Sequence, residues 1–223
     1  MSYPVAIRDI QQITHDVKRF KVDKPEGFEF VPGQATEVAI DKPQWREEKR
    51  PFTFTSLNGE PDMEFTIKIY DDHNGVTNQM NYLNVGDHLL IDDPWGTIEY
   101  KGPGVFLAGG AGVTPFIAIL RRLARENSIE GNTLIFSNKT EDDIILEDEF
   151  VSILGQNFMN VITDEPTDDY TYLDGFIDKE YLQEQIDDFD QPFYVCGPMD
   201  FNEAMLGYLE ELGADPEALV FEE

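Results

Sequence analysis

The feature that most constrains this chain is a change of rhythm at "KGPG", residues 101–104. Before it come short alternating segments, "YPVAIRDI", "VKRFKVD", "ATEVAI", "PFTFTS", "EFTIKIY" and "DHLLIDD", separated by "PEG", "PGQ", "NGEPD" and "NVGD". Period-two alternation broken at short intervals by turn residues predicts a small antiparallel barrel or sandwich, with a helical turn or two at "VTNQMNYL". After it, apolar runs alternate with helical ones: "VFLAGG" with "TPFIAILRRLAREN", "TLIFSN" with "ILEDEFVSIL", "FMNVIT" with "DKEYLQEQI", and "PFYVC" with "MDFNEAMLGYLEELG". That pattern predicts a parallel sheet covered by helices, with ligands bound beyond the carboxyl ends of its strands. The segment "DDYTYLDGFIDKEYL" reads as an acidic loop entering a helix. The expected organisation is therefore two domains: an antiparallel β-barrel over residues 1–101 and an α/β parallel-sheet domain over residues 102–223.

Composition removes several function classes. The single cysteine, Cys196, permits no intrachain disulfide and no iron–sulfur cluster held by cysteines of this chain. His15, His73 and His88 are far apart in sequence and read as surface residues, so no metal is expected. There is no G-x-S-x-G elbow and no Walker loop. The formal charge of −29 is uneven: residues 1–50 carry nine basic and nine acidic side chains, and residues 51–223 carry 7 against 36. Such a field disfavours nucleic acid and anionic membranes as partners. The uncharged run from 102 to 120 is rich in glycine and reads as a strand, a turn and a helix start, not a membrane span. No basic-then-apolar leader opens the sequence, which makes the cytoplasm the expected location.

The strand ends carry the chemistry. In "GGAGVTP", Gly109, Gly110 and Gly112 would let the backbone approach a ligand, Thr114 would cap the next helix, and Pro115 suits its first position. The start of that helix could then hold a pyrophosphate. Proline stands where the third glycine of a Rossmann G-x-G-x-x-G would be. A second strand end, "YVCGPM", places Cys196 before a Gly-Pro turn, and a third supplies Ser137, Asn138 and Lys139 near an expected adenosine ribose. Lys139 would accept a 2′-phosphate there, whereas Glu141, Asp142 and Asp143 would repel one. In the first half, "RPFTFTS" starts a strand face with a cation: Arg50, Phe52, Phe54 and Ser56 alternate with Pro51, Thr53 and Thr55.

In this order, "FVPGQ", "RPFTFTS", "IKIY", "GVTNQMNYL", "VGD", "PWG", "GGAGVTP", "NKTEDDI" and "CGPM" resemble the ferredoxin–NADP reductase superfamily, especially its cytochrome b5 reductase-like and flavodoxin reductase-like branch. The resemblance spans nearly the whole chain. It implies an FAD-binding barrel followed by a nicotinamide-nucleotide domain, with the two cofactors meeting between them. It further implies that Arg50 binds flavin phosphate, Phe52 stacks on the ring, and Thr53 approaches the reacting edge. Lys68, Tyr70, Gly75, Val76 and Thr77 form the second flavin segment. Gly109, Gly110, Gly112, Val113 and Thr114 form the nucleotide turn; Cys196, Gly197, Pro198 and Met199 lie beside the nicotinamide, with Thr53 and Cys196 as the catalytic pair. Phenylalanine stands at position 52 where the family more often has tyrosine, "DPWG" replaces "GPxG", and the resemblance leaves open whether Phe221 or Glu222 of the ending "VFEE" contacts the flavin.

The resemblance implies an enzyme that moves a hydride from NADH or NADPH to FAD and then electrons to a separate carrier: flavodoxin, ferredoxin or a haem protein. "NKTEDDI" favours NADH. A monomer is expected, and the cation-bearing segments "VKRFKVDK" at 17–24, with Lys18, Arg19 and Lys21, and "WREEKR" at 45–50 are the expected docking strip for an acidic carrier. The alternatives are a flavin reductase that releases its product and a non-catalytic dinucleotide-binding module.

Overall fold

The computed structural model describes residues 2–72, 74–96, 98–164, 172–215 and 218–221. His73, expected at the surface, therefore lies outside the described residues, as do Glu222 and the side chain of Phe221. Strands β1 (Tyr3–Gln12), β2 (Val17–Asp23), β3 (Ala35–Ile40), β4 (Arg50–Thr53), β5 (Asp62–Lys68) and β6 (His88–Ile91) form one antiparallel sheet in the order β4-β3-β6-β1-β2-β5. Its inner face buries Val5, Ile7, Phe20, Val22, Val38, Met63, Phe65 and Leu89, every second residue of their strands. Phe54 completes this core, stacked on Phe30 at 4.2 Å between ring centroids and tilted against Phe65 at 5.2 Å. The short helix α1 (Val76–Met80) closes one end, burying Val76 and Met80. The sheet is nearly a closed barrel, because Phe54 bridges to Phe65 and joins its two edges.

The second sheet is wholly parallel, in the order β10-β9-β8-β7-β11-β12. Its strands are β7 (Val105–Gly109), β8 (Thr133–Asn138), β9 (Phe158–Ile162), β10 (Tyr172–Asp174), β11 (Phe193–Cys196) and β12 (Leu219–Phe221). Helices α2 (Thr114–Arg125), α3 (Glu147–Leu154), α4 (Lys179–Gln185) and α5 (Met199–Glu211) cover it. The chain starts in the middle at β7, builds outward to β10, and returns to the other side of β7 with β11. The strand order thus reverses between β7 and β11, where an open α/β sheet leaves a crevice beyond its carboxyl ends.

Two short strands depart from the sequence expectation. Part of the acidic loop is the edge strand β10, and β12 adds a last edge beside β11. Three residues are too few for a period to show. Between the sheets, the Tyr194 hydroxyl accepts from the amides of Lys101 and Gly102 (2.9 and 3.1 Å) and donates to the Gly102 carbonyl (2.7 Å), fastening the connecting segment to β11. Barrel residues Val17 and Ile98 share an apolar cluster with Phe116, Ile117 and Leu120 of α2. Gly33, at φ +103°, has its missing Cβ replaced by the Ile98 carbonyl, which would lie 2.2 Å away.

Candidate active site

The barrel closes at one rung and opens above it. Below, Phe54 bridges Phe65, and the Thr55 amide donates to the Glu64 carbonyl at 2.8 Å. Continuing that register would pair Thr53 with Thr66, Phe52 with Ile67, and Pro51 with Lys68. None of these pairs forms among the described ladders; all six residues instead line a cleft of about 640 Å³. The cleft therefore occupies the place of three missing rungs, and the free edge of β4 faces it. Pro51, which has no amide to donate, suits such an edge. In "RPFTFTS", Phe52 and Thr53 point to opposite faces of the strand, but a site at the strand's edge reaches both.

The opposite wall comes from the second sheet. Ala111, Thr114 and Pro115 contribute from the end of β7 and the start of α2, and Cys196, Gly197 and Met199 from the end of β11. Tyr70, Thr77, Trp95, Asn202, Glu203 and Leu206 complete the lining. Cys196 is 7% exposed, so its thiol borders the cleft from within the sheet. Thr114 does not cap α2 as expected. Val113 is the N-cap, and the Thr114 hydroxyl donates to the Ala111 carbonyl at 2.9 Å, closing the turn.

The glycines also have a different reason than the expected one. A Cβ on Gly112 would fall 2.2 Å from the Cys196 carbonyl oxygen, and one on Gly109 would touch Phe201 and Pro198 at 3.1–3.2 Å. These two positions are small so that the β7 turn can pack on the β11 turn. Gly110 differs: its φ of +51° favours glycine while nothing lies within 4 Å of its absent Cβ. Open space at the absent Cβ is thus found at Gly110 alone of the three. Gly197 repeats the packing theme, with Phe201 at 2.5 Å from its absent Cβ.

Several expected site residues stand outside the lining. Arg50 is exposed, with Nη1 donating to the Lys49 carbonyl at 2.6 Å, and it begins the strand whose next three residues line the cleft. Gly75 is the N-cap of α1, and the Val76 side chain belongs to the barrel core. Val113 is fully buried beneath the turn, and Pro198 is the N-cap of α5. At the end of β8, Ser137 is partly buried, Lys139 is exposed, and Asn138 is buried with no hydrogen-bond partner for either side-chain polar atom among the described residues.

Lys68 lines the cleft, yet its ammonium contacts Asp16 at 2.8 Å and Asp143 at 3.6 Å, the latter from the second sheet's side. Burial works against its charge, but the hydrogen bond and the two carboxylates hold its pKa above the ordinary lysine value. His15 sits 3.7 and 3.8 Å from the same two aspartates, so the histidine that sequence spacing left isolated joins an ionic cluster in space.

The docking strip separates in the same way. Arg19 and Lys21 leave β2 on the face of Val17, toward α2, whereas Lys18 leaves on the other and donates to the Asn81 carbonyl at 3.1 Å. Sequence reasoning also missed Asn202, whose Oδ1 is buried without a partner among the described residues. With Met199, Glu203 and Leu206 it recurs at helical spacing along α5, a signal that was present in "MDFNEAML".

The cleft has the chemistry of a dinucleotide site. Aromatic surface (Phe52, Tyr70, Trp95), hydroxyls (Thr53, Thr66, Thr77, Thr114), one ammonium and an unpaired amide oxygen line a volume within the usual 300–1,000 Å³ range of ligand pockets. An FAD ring and a nicotinamide fit that set of donors and stacking surfaces.

Comparison with known proteins agrees. A family described as the oxidoreductase FAD-binding domain matches residues 4–100, and the oxidoreductase NAD-binding domain matches residues 106–206. NADH–cytochrome b5 reductase 1 of Arabidopsis thaliana is 29% identical over 222 residues, covering 92% of this chain and 78% of that one. Among solved structures, the FAD/NAD-binding domain of a Vibrio cholerae nitric oxide dioxygenase superposes with a TM-score of 0.86 at 24% identity, covering 98% of this chain and 97% of that one. A Neisseria gonorrhoeae ferredoxin NADP+ reductase, solved with FAD and NADP, gives 0.84 at 18% identity, covering 99% and 98%. Two cofactor domains in this order, meeting at a cleft cut into the barrel seam, are those of an NAD(P)H-dependent flavoprotein reductase, and the chain belongs to the ferredoxin–NADP reductase superfamily.

Proposed function

We propose that the chain reduces FAD with NADH in the open seam between β4 and β5 and passes the electrons to a separate, non-acidic carrier protein. The observation that carries this reading is the replacement of three ladder rungs by a cleft whose far wall is the β7 and β11 strand ends. In this reading residues 1–101 hold the flavin: Phe52 packs on its ring, Thr53 presents a hydroxyl at the strand edge, and Arg50 turns to its phosphates. Lys68, Tyr70, Thr77 and the amides at Gly75 and Val76 flank the same group. Residues 102–223 hold the nicotinamide nucleotide, with the turn from Gly109 to Thr114 at its pyrophosphate. Cys196 to Met199 lie at its ring, and Ser137, Asn138 and Lys139 at its adenosine. Bound FAD supplies the conversion of a two-electron hydride into single electrons, and the side chains supply orientation and exclusion of water.

Charge supports NADH. Lys139 is the only cation from 137 to 143 and is followed by Glu141, Asp142 and Asp143, which a 2′-phosphate would face. The net charge and the divided β2 cations support a neutral or basic carrier, such as a haem protein, over flavodoxin or ferredoxin.

Purified protein given FAD should turn yellow and retain the flavin through gel filtration. Anaerobic NADH should then bleach it, with kcat/KM for NADPH lower by about tenfold or more, the effect of about 1.4 kcal/mol. Protein that cannot take up FAD, or flavin that NADH does not bleach, overturns the reading. Loss of reduced flavin on the column points to a flavin reductase instead.

A further inference from the structure

Arg121 lies on α2 seven residues after Thr114, about two turns, and so on nearly the same helix face. Its side chain is 16% exposed. Nε and Nη2 donate to the two carboxylate oxygens of Glu149 on α3, at 2.5 and 2.8 Å. Nη1 donates to the Thr55 carbonyl and to Glu64 Oε1, each at 2.7 Å. Glu149 belongs to the same sheet layer as α2, whereas Thr55 and Glu64 belong to the barrel. One guanidinium therefore spans the two halves of the molecule.

The place where it grips the barrel is specific. Thr55 and Glu64 form the closed rung below the seam: amide to carbonyl at 2.8 Å, and Thr55 hydroxyl to Glu64 Oε1 at 3.0 Å. Two residues onward along each strand stand Thr53 and Thr66, which line the cleft. At the other end of the same helix, Thr114 lines the opposite wall. Burial of Arg121 opposes its charge, but the hydrogen bonds to Glu149 and the charge of Glu64 prevail and raise its pKa, so it stays ionised. Glu64 is 5% exposed. Buried ionic groups of this kind contribute little net stability compared with apolar packing, and what a planar, bidentate guanidinium adds is a fixed angle.

We propose that Arg121 is a positioning residue. By holding Thr55, Glu64 and Glu149 together it fixes α2 against the flavin-bearing strands and sets the approach of the nicotinamide to the flavin ring. The clasp itself stands on geometry alone; its effect on hydride transfer rests on the reading under Proposed function. Displacements of about 1 Å between reacting groups lower rates by about 100-fold.

The test uses the full chain carrying R121M/E64Q, with R121K as the conservative partner. The double variant removes the two most buried charges together and leaves their other partners, Glu149 (31% exposed) and Arg19 (20% exposed), with access to solvent. Spin labels at two exposed positions, D9C in the barrel and E184C in the second layer, report the distance between the halves without any cofactor; Cys196 is buried. The parent should give one narrow distance distribution, R121M/E64Q one at least about twice as broad, and R121K an intermediate width. In FAD-loaded protein, hydride transfer at saturating NADH should fall at least about tenfold while FAD affinity changes less than about twofold. An unchanged distance distribution in R121M/E64Q overturns the clasp. A broadened distribution with unchanged hydride transfer overturns the positioning role. If the parent itself is not reduced by NADH, the functional reading fails while the label measurement still judges the clasp.

Discussion

Arg50 and Thr53 lie three residues apart on β4 in different surroundings, Arg50 exposed at the strand's start and Thr53 buried at the cleft, and the proposed function gives them different tasks. Arg50→Ala should loosen FAD by about 10- to 100-fold, the loss of one charge-assisted hydrogen bond of about 1.5–3 kcal/mol, as read by equilibrium dialysis. Thr53→Ala should leave that affinity within a few-fold and slow hydride transfer; the opposite pattern would reverse the two assignments. Lys68 makes a pH prediction. Its folded-state pKa is raised, so its contribution to stability is complete below the unfolded value of about 10.4 and is lost as pH rises through the folded value. On the alkaline limb, Lys68→Met should therefore lose less Tm than the parent as pH rises above about 10.4; parallel curves would show that the Asp16 and Asp143 contacts contribute nothing. Residues such as Phe52, Thr53 and Cys196 were legible in the sequence because each belongs to a short local motif. Arg121 and His15 were not, since Thr55, Glu64 and Asp143, which complete their contacts, lie in the other half of the chain and no local spacing records them.

At the scale of elements, the sequence showed most strands and helices because their apolar periods run for four residues or more. It missed β10 and β12, three-residue edges held by pairing to a neighbour and not by their own pattern. It also placed three glycines in one ligand-facing turn, whereas two of them admit protein. That difference is measurable. Gly112→Ala, with a Cβ 2.2 Å from the Cys196 carbonyl, should cost about 3 kcal/mol or more through overpacking. Gly110→Ala, strained in φ but in open space, should cost about 1 kcal/mol. Chemical denaturation of the two variants separates these expectations; equal losses would mean that the β7 and β11 turns yield easily to one another. The open seam was beyond sequence reasoning for a related reason: "RPFTFTS" reads as one strand, and only the register of β5 shows where its pairing stops.

For the whole molecule, the acidic excess sits entirely in residues 51–223, where only seven cations stand against 36 acids. Arg121, Lys68 and Lys179 among those cations are already held by carboxylates. The remaining self-repulsion is screened as the Debye length shrinks from about 30 Å at 0.01 M salt to about 3 Å at 1 M. Tm should accordingly rise with salt by several degrees, about 2–4 °C for each 1 kcal/mol gained in a chain of this size. A flat response would mean that the acids are locally compensated. The two-domain plan was legible because a change of apolar rhythm marks it. The way the halves meet was not, because it depends on contacts such as Arg121 to Thr55 and Ile98 to the apolar face of α2 that only the fold creates. In the proposed function, the open seam is the place where the two cofactors meet. Diffraction from crystals of the chain grown with FAD and NAD+ tests this directly. The account predicts flavin density between the Pro51–Phe52–Thr53 edge and Thr66, with the nicotinamide against Thr114 and Cys196; a flavin bound elsewhere, with β4 and β5 paired across the seam, would contradict it.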